Sequence, residues 1–320
     1  MKVLVTGSSG WLGRHLMPLI QDAKYDAIGL DVVPGQFTHA VGSVADKDFI
    51  LALFEEYDFD SVVHAAALHK PDITRYSKQA FINVNIAGTL NLLDAVSRKK
   101  NTRFIFTSTT SLMISRKIRE ERSPDAVWLD EESGPLEPRN IYGVTKLAAE
   151  GLCRLYHLDQ GLSTIILRTA RFFPEEDDTI QDIPGLNLKA NELLYRRATV
   201  TDMARAHLAA LEKADEIKYG LYIVSAPTPF ERSDTIELRA NAKSVITRKF
   251  PDAEVLYENL GWHLPTSVGR VYDGSRIARE LGFKYKTEFS DVLLALREDR
   301  ALPIVHDAGY VSPAWLLQQK

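Results

Sequence analysis

The sequence predicts an α/β protein built around a doubly wound parallel sheet. Short apolar segments typical of buried strands alternate with helical patterns between residues 1 and 168. This alternation forces the strands to run parallel, because each helix returns the chain to the same edge of the sheet through a right-handed crossover. The alternation falters after residue 168 and returns at 200–226, so the remaining segments predict a smaller α+β lobe.

The predicted elements follow in order along the chain. Apolar runs predict strands at 3–5, 25–30, 38–41, 61–67, 103–106, 163–168 and 221–225. Apolar residues at helical spacing predict helices at 46–57, 77–99 and 141–158, and another that begins at Asp202. Prolines and dense charge predict that 112–140 is an inserted loop or lid, in which the acidic run 130–132 is a solvated face.

A glycine-rich turn follows the first predicted strand. Gly7 can adopt the positive φ of a tight turn, Gly10 leaves room for a pyrophosphate, and Gly13 lets the next helix pack closely. The second predicted strand ends in Asp31, roughly 20 residues after the last glycine, where a carboxylate hydrogen-bonds a ribose diol and repels a 2′-phosphate. The turn and Asp31 together favour NAD over NADP.

Two further segments are expected to line the same crevice. The strand at 61–67 ends in three alanines, which either form a wall of the cofactor site or reflect ordinary close packing. The strand at 103–106 runs into five hydroxyl residues, 107–111, at the edge where doubly wound sheets bind ligands. Asn85, on the helix at 77–99, could hydrogen-bond a neighbouring strand, although such residues are more often exposed.

Composition excludes several classes of function. The net charge of −4 and a pI of about 6.1 give no reason to expect nucleic acid or a membrane as partner. Cys153 is the one cysteine, so no internal disulfide is possible. No apolar run approaches the ~18 residues of a membrane span, and the N-terminus lacks a signal-peptide core. We therefore expect a cytoplasmic protein, and the scattered histidines suggest no metal site.

Several motifs resemble those of the extended short-chain dehydrogenase/reductases, the NAD-dependent epimerase/dehydratase group. Residues 6–13, TGSSGWLG, resemble the family's T-G-x-x-G-x-x-G turn, and Tyr142-x-x-x-Lys146 looks like its catalytic pair. Thr109 occupies the place of the family's catalytic Ser or Thr, while 64–67 and Asn85 are similar to other landmarks. The resemblance covers residues 1 to about 226, and 273–282 resemble the closing helix.

The resemblance implies a Rossmann-like fold with two parts. The dinucleotide-binding domain would comprise 1–168 and 200–226, and the substrate-binding lobe 169–199 and 227–320. It also implies a homodimer formed through the helices at 78–99 and 142–158. The implied cofactor-binding residues are Gly7, Ser9, Gly10, Trp11, Leu12, Gly13, Asp31, Ser43, Val44, Ala65, Ala66, Ala67, Asn85, Tyr142 and Lys146.

The implied chemistry is oxidation of a substrate hydroxyl. Tyr142 would take the hydroxyl proton, Thr109 would hold the same oxygen, and Lys146 would anchor the nicotinamide ribose and favour the phenolate. Candidate substrate-binding residues are Thr110, Ser111, Arg171, Arg197 and Arg270.

The family's 4,6-dehydratases carry an acidic pair, or a single Glu, after the catalytic Thr, where this chain has Thr110 and Ser111. A dehydratase is therefore not expected. The leading hypothesis is an NAD-dependent epimerase or dehydrogenase that acts on a hydroxyl of a sugar or sugar nucleotide. A reductase of a non-sugar carbonyl compound and a non-catalytic sensor of the dinucleotide are the alternatives.

Overall fold

A computed structural model describes residues 1–176, 182–312 and 315. The strands are β1 (Lys2–Thr6), β2 (Asp26–Asp31), β3 (Ala40–Val41), β4 (Ser61–His64), β5 (Arg103–Thr109), β6 (Val127–Leu129), β7 (Ser163–Thr169), β8 (Tyr219–Val224) and β9 (Arg270–Tyr272). Seven of them form one sheet in the order β3-β2-β1-β4-β5-β7-β8, in which each neighbouring pair is parallel. The predicted fold class, a doubly wound Rossmann-like sheet, is confirmed.

Twelve α-helices occur in the described residues. They are α1 (Trp11–Asp22), α2 (Lys47–Glu56), α3 (Lys78–Phe81), α4 (Gly88–Val96), α5 (Arg116–Arg119), α6 (Ile141–Gln160), α7 (Gly185–Glu192), α8 (Val200–Ile217), α9 (Thr235–Lys249), α10 (Ala253–Glu258), α11 (Ser275–Leu281) and α12 (Phe289–Arg297). A π-helical turn, Ile82–Ala87, joins α3 to α4. Of the strand predicted at 38–41, only Ala40–Val41 form a strand, which lies at the edge of the sheet.

Helices cover both faces of the sheet, which explains why its central strands are apolar throughout. One core joins β1 and β7 to α1 and α8 through side chains such as Leu16 and Met203. The other core joins β4 and β5 to α2, α4 and α6 through side chains such as Ile50, Leu92 and Cys153. With both faces buried, the alternation of apolar and polar residues seen in half-exposed strands is absent.

The segment 112–140 does not form a detached loop or lid. Its strand β6 (Val127–Leu129) pairs in parallel with β9 (Arg270–Tyr272) of the C-terminal part, and Leu112 and Met113 are buried in the core. The acidic side chains at 130–132 also contact other parts of the protein. Asp130 pairs with Arg232, the Glu131 carboxylate accepts the Ile223 backbone N–H, and Glu132 pairs with Arg276. The solvated face predicted here holds for Glu132, whose side chain is 85% exposed, but not for Glu131, which is half-buried and joins the insertion to β8.

The pairing of β6 with β9 affects the predicted division into domains, which places 112–140 in the dinucleotide-binding domain. In the structure, β6 belongs to a second, two-stranded sheet whose other strand lies in the predicted substrate-binding lobe. The predicted boundaries at 168–200 and 226 otherwise stay a prediction. Within the ranges that the structure describes, none of the helices combines the length and the apolar character needed to cross a bilayer.

Candidate functional site

The glycine turn forms a close junction between β1, β4 and α1. Gly7 has φ +78°, and a Cβ there would lie 2.9 Å from the Ala66 backbone nitrogen. At Gly13 a Cβ would lie 2.7 Å from the Cα of Ser8 and still closer to the carbonyl of Gly7. No side chain fits either position without movement of backbone. The turn thus opens the N-terminus of α1 toward the cleft, as binding of a pyrophosphate requires.

Asp31 ends β2 beside this turn. Its carboxylate accepts the backbone N–H groups of Ser9 at 2.9 Å and Val33 at 3.3 Å. Burial raises the pKa of Asp31 above its usual value, although these N–H groups act in the opposite direction. The carboxylate is therefore fixed in orientation at the place predicted for a ribose diol.

A cavity of about 380 Å³ runs along the carboxyl edge of the sheet. Most of the predicted cofactor residues line it, namely Gly7, Gly10, Trp11, Leu12, Gly13, Asp31, Ser43, Val44, Ala65, Ala66, Ala67, Tyr142 and Lys146. The small residues of the turn and of 65–67 leave space for a flat, extended ligand. A dinucleotide fits the character of this cleft, because backbone and small side chains form its floor while Asp31 stands at one end.

Two predicted cofactor residues, Ser9 and Asn85, are not among those that line the cavity. Ser9 acts through its backbone N–H on Asp31, while its hydroxyl bonds to Thr38 and Val33. Asn85 is buried below the cavity floor, where its amide bonds to the Leu68 backbone. It also donates to the Thr145 hydroxyl at 3.0 Å. A direct contact between Asn85 and the cofactor is therefore not supported; Asn85 instead holds the 65–68 segment against α6.

The π-helical turn explains why Asn85 is buried when a helical asparagine is more often exposed. An extra residue in a helical turn rotates the following side chains out of their regular positions, and such turns are frequent at functional sites. Asn85 lies inside the Ile82–Ala87 turn and is 2% exposed, whereas Asn83 bonds to Gln79 on the surface. The apolar periodicity of 77–99 carries no signal for this interruption.

Tyr142, Thr109 and Lys146 lie around the junction of two cavities. Tyr142 is on the first turn of α6, where Asn140 caps the helix by accepting the Gly143 N–H. Its phenol lies beside the hydroxyl of Thr109, at the carboxyl end of β5. Lys146 follows one helical turn later, and its ammonium nitrogen lies 4.1 Å from the centroid of the Phe106 ring. The three residues predicted as catalytic thus face the same region.

Burial controls the protonation of this group. Burial raises the pKa of Tyr142 to about 12, although the neighbouring Thr109 hydroxyl acts to lower it. Burial also lowers the pKa of Lys146 to about 7, against the opposing effects of Cys153 and Glu150. In the protein alone Tyr142 is therefore a neutral phenol at pH 7. Desolvation is the largest influence on the Tyr142 phenol and outweighs the opposing influence of Thr109.

The second cavity, of about 590 Å³, adjoins the first. Tyr142, Thr169, Phe172 and Tyr310 line both cavities, so the two spaces meet beside the Tyr142 hydroxyl. All five predicted substrate-binding residues, Thr110, Ser111, Arg171, Arg197 and Arg270, line the second cavity together with Thr109. It is the candidate substrate cavity.

A buried carboxylate organises the arginines of this cavity. Glu192, at the end of α7, pairs with Arg171 at 3.0 Å, Arg196 at 2.9 Å and Arg197 at 2.8 Å. Although burial raises it, these arginines bring the pKa of Glu192 down to about 2. The role predicted for Arg197, contact with substrate, needs correction in part, because its charge is shared with Glu192 and its Nη1 donates to the Phe173 carbonyl.

The acidic run after β7 also contributes to the cavity. Glu175 and Glu176 line it, and burial raises the pKa of Glu175. Glu176 pairs with His306 of the C-terminal segment at 3.0 Å. Glu175 therefore belongs to the wall of this cavity. Asp177 and Asp178, the rest of the run, lie outside the described residues.

Sequence reasoning missed three participants in the site. Glu192 lies in α7, a helix that the sequence did not predict, and Tyr272 falls just before the motif at 273–282. Tyr310 comes from a C-terminal segment without periodicity, yet it lines both cavities and packs edge-on against Trp11 with ring centroids 5.3 Å apart. Only the pair of adjacent arginines, 196 and 197, offered a signal, since buried arginines require an acidic partner.

Comparison with known proteins places the chain in a family. UDP-glucose 4-epimerase 4 of Oryza sativa subsp. japonica is 26% identical over 313 residues, which cover 80% of this chain and 82% of that protein. dTDP-D-glucose 4,6-dehydratase of Bos taurus is 26% identical over 243 residues, covering 66% and 65%. A solved short-chain dehydrogenase/reductase superfamily protein from Agrobacterium tumefaciens, with bound NAD, has 21% identity and a TM-score of 0.65, covering 93% and 98%.

The family model that matches this chain agrees with the observed sheet. The model of the NAD dependent epimerase/dehydratase family spans residues 3–224, from β1 to the end of β8. The glycine turn, Asp31 and the Tyr142 group all fall within that span. The chain therefore belongs to the NAD-dependent epimerase/dehydratase family, and NAD is its cofactor.

Proposed function

We propose that this protein oxidises a hydroxyl of a sugar or sugar nucleotide, as an epimerase or a dehydrogenase. The placement of the Tyr142 phenol beside the Thr109 hydroxyl, at the junction of the two cavities, is the observation that carries the proposal. A hydroxyl and a phenol in contact there can both reach one substrate oxygen. The names of relatives, UDP-glucose 4-epimerase among them, support a sugar nucleotide as one substrate class.

The first cavity would hold NAD through its backbone and a few side chains. The glycine turn would take the pyrophosphate, Asp31 the adenosine ribose, and Lys146 the nicotinamide ribose. Bound NAD would be the acceptor for the hydride from the carbon that carries the reacting hydroxyl. Residues 42–44 and 65–67 would form the walls beside it.

Tyr142 would take the proton of the substrate hydroxyl. Its pKa of about 12 keeps the phenol protonated at neutral pH in the protein alone, so a nearby positive charge must favour the phenolate. Lys146 provides this charge while it is protonated, and the oxidised nicotinamide ring adds a second. Thr109 would keep the substrate oxygen aligned with the phenol by donating or accepting a hydrogen bond.

We infer an epimerase or a dehydrogenase rather than a 4,6-dehydratase. Thr110 and Ser111 follow Thr109, and neither side chain can act as a carboxylate acid or base. Thr110 donates to the Thr169 carbonyl at 3.3 Å, and the Ser111 N–H is bound by the Thr109 hydroxyl. Because a 4,6-dehydratase is among the relatives, the exclusion of dehydratase activity has to be tested by identifying the reaction products.

We also propose that two copies associate through α3, α4 and α6. Apolar side chains are exposed on these helices, among them Ile82 in the connecting π turn and Val144, Leu155 and Leu158 on α6. Pairing of the helices between two copies would bury them. Sedimentation of the protein at micromolar concentration tests this proposal.

The variant Tyr142→Phe tests the proposed chemistry. Loss of a positioned general base slows turnover by roughly 100- to 10,000-fold, while NAD affinity stays within about twofold because the phenyl ring still lines the cleft. Tyr156→Phe on the same helix is the control, since its hydroxyl bonds to Asp94 away from both cavities. If NAD affinity and turnover of Tyr142→Phe fell together, the catalytic role would be wrong.

The reaction type is tested by screening sugar nucleotides and free uronic acids. A dehydrogenase accumulates NADH with its substrate, whereas an epimerase converts the substrate without net formation of NADH. Product analysis by NMR separates both from a dehydratase, whose product has lost water. Turnover only with non-sugar carbonyl compounds would contradict the proposal.

A further inference from the structure

Residues 304–312, which we name the C-terminal strap, lie against both cavities although they fall outside the span of the family model. Ile304 is buried in the core beside α1 and α8, which fixes the start of the strap. Residues 308–312 line the substrate cavity, and Tyr310 and Ser312 line the cofactor cleft as well. The strap is therefore part of the wall of both cavities.

One side of the strap is held by the loop after β7 and by α7. The Asp307 backbone N–H donates to the Pro174 carbonyl at 2.9 Å. The Lys189 ammonium donates to Nδ1 of His306 at 3.0 Å, so the proton of this imidazole is on Nε2, which lies 3.0 Å from Glu176. His306 lines neither cavity, so these contacts fix the strap from outside the site.

The other side of the strap is held at the start of α1. Tyr310 packs edge-on against Trp11, with ring centroids 5.3 Å apart. The Arg14 guanidinium lies 5.5 Å from the centroid of the Trp11 ring and 5.7 Å from that of the Tyr310 ring, so one cation contacts both rings. Trp11 belongs to the glycine-rich stretch and lines the cofactor cleft. The strap is thus attached beside the helix N-terminus that would hold the pyrophosphate.

The strand order shows what the strap crosses between these two attachments. β1 leads into the glycine turn and α1, β7 leads into the loop of Pro174, and β4 and β5 lie between them. Three strand spacings of about 4.8 Å, or about 14 Å in all, separate β1 from β7. The carboxyl ends of β4 and β5 carry the alanines at 65–67 and Thr109. The strap therefore crosses the sheet edge where the two cavities meet, as the position of Tyr310 on both walls requires.

Tyr310 has the charge state that a place beside a dinucleotide needs. Burial raises the pKa of Tyr310 to about 12, so the phenol is uncharged at neutral pH. An uncharged phenol can lie beside an anionic pyrophosphate without repulsion, and its O–H can donate a hydrogen bond to it.

We propose that the C-terminal strap gates the cofactor cleft, so that Tyr310 contacts bound NAD and must separate from Trp11 before the dinucleotide enters or leaves. The inference rests on the proposed place of NAD in the first cavity. It concerns exchange of the cofactor, whereas Tyr142, Thr109 and Lys146 concern the chemistry. A gate differs from a simple contact, because opening a gate speeds both binding and release, whereas loss of a contact speeds release alone.

The rates of NADH exchange test this gate without turnover. NADH fluorescence is followed when the NADH-loaded protein is mixed with excess NAD, which gives release, and when the dinucleotide-free protein is mixed with NADH, which gives binding. In Tyr310→Ala both rate constants should rise, release by about tenfold, because an aromatic pair and a cation–π contact are lost. Tyr310→Phe keeps the ring against Trp11, so its rates should stay within about twofold of those of the native protein.

His306→Ala separates the gate from direct contact with the cofactor. The variant loses the contacts with Glu176 and Lys189 on the far side of the strap. Both rate constants should rise in the same direction as in Tyr310→Ala, although His306 touches neither cavity. Thermal unfolding checks the fold of each variant, and the rates of His306→Ala decide the question if Tyr310→Ala does not fold.

The matched control is Tyr57→Ala. Tyr57 also stacks on an aromatic ring, that of Phe59, and has a cation over its ring, the Lys2 ammonium at 5.4 Å, but it lines neither cavity. Both rate constants should be unchanged in this variant.

Three results would overturn the gate. They are release that is equal in the native protein and Tyr310→Ala, faster release with unchanged binding in that variant, and native rates of exchange in His306→Ala. Failure of the proposed function would appear instead as unchanged turnover in Tyr142→Phe.

Discussion

The cofactor cleft and the substrate cavity are built in different ways. The cleft is formed by short consecutive stretches, the glycine turn, 42–44 and 65–67, whose contribution is mainly backbone and small side chains. The substrate cavity is lined by charged side chains from segments far apart in the chain, among them Arg75, Arg119, Arg197 and Arg270. The cofactor cleft depends on positions with small side chains or none, whereas the substrate cavity depends on charged side chains.

This difference explains how each cavity keeps its shape. In the cleft, close contacts between backbone atoms leave no freedom, as the position of Gly13 against Gly7 shows. In the substrate cavity, ion pairs around Glu192 hold three arginines in place. The cleft should therefore be sensitive to added volume, and the substrate cavity to changes in charge.

The largest effect is expected from removal of charge in Glu192→Gln. Three arginines would lose their buried counter-charge, and breaking such a network costs about 3–5 kcal/mol of unfolding free energy. Chemical denaturation of the variant measures this loss. Glu216→Gln is the control, because Glu216 forms an exposed pair with Lys213, and such pairs contribute about 0–1 kcal/mol.

The same network predicts how stability depends on pH. The pKa of Glu192, about 2, lies below the ordinary value of 4.5, so its carboxylate stabilises the folded state fully above that ordinary value. This contribution is lost as the pH falls from about 4.5 toward 2. Glu192→Gln should lose less stability than the native protein over that interval. An equal loss in both proteins would contradict the assignment.

Added volume in the cleft is expected to have the next largest effect. In Gly13→Ala the new methyl group meets the Gly7 carbonyl and Ser8 backbone, and overpacking of this kind costs about 1–3 kcal/mol. Chemical denaturation measures this loss, and NAD binding should weaken because the displaced turn no longer directs its N–H groups at the pyrophosphate. Gly151→Ala on α6 is the control, since its methyl group meets nothing within 4 Å and improves helix propensity. Equal NAD affinities in the two variants would show that the turn tolerates volume.

The smallest effect is expected for cofactor preference in Asp31→Ala. Loss of hydrogen bonds to the ribose diol should lower the affinity for NAD by roughly tenfold, the low end of the range for charged hydrogen bonds. The affinity for NADP should change little. Titration of both dinucleotides measures the ratio. Asp26→Ala, at the exposed start of the same strand, should leave the ratio unchanged. An unchanged ratio in Asp31→Ala would remove Asp31 from the ribose site.

The sequence predicted the cleft well because its determinants are local. Glycine spacing, the strand-end Asp31 and the alanines at 65–67 each act through their own backbone position. Asn85 was harder, because a π-helical turn decides which way it faces. The sequence carries no signal for Glu192 or Tyr272. Glu192 matters because of arginines, and Tyr272 because of an arginine and a threonine, that approach it only in the folded chain. The role of 112–140 was misjudged for the same reason, as β6 finds its partner about 140 residues later.

The pairing of β6 with β9 has a consequence for engineering. Val127 lies opposite Arg270 and Leu129 opposite Tyr272, so the insertion sets the position of both residues. A C-terminal lobe transplanted from a relative would bring its own version of β9 but would have to match the recipient's β6. Chimaeras intended to exchange specificity within this family should therefore carry residues 112–140 and the C-terminal lobe as one cassette.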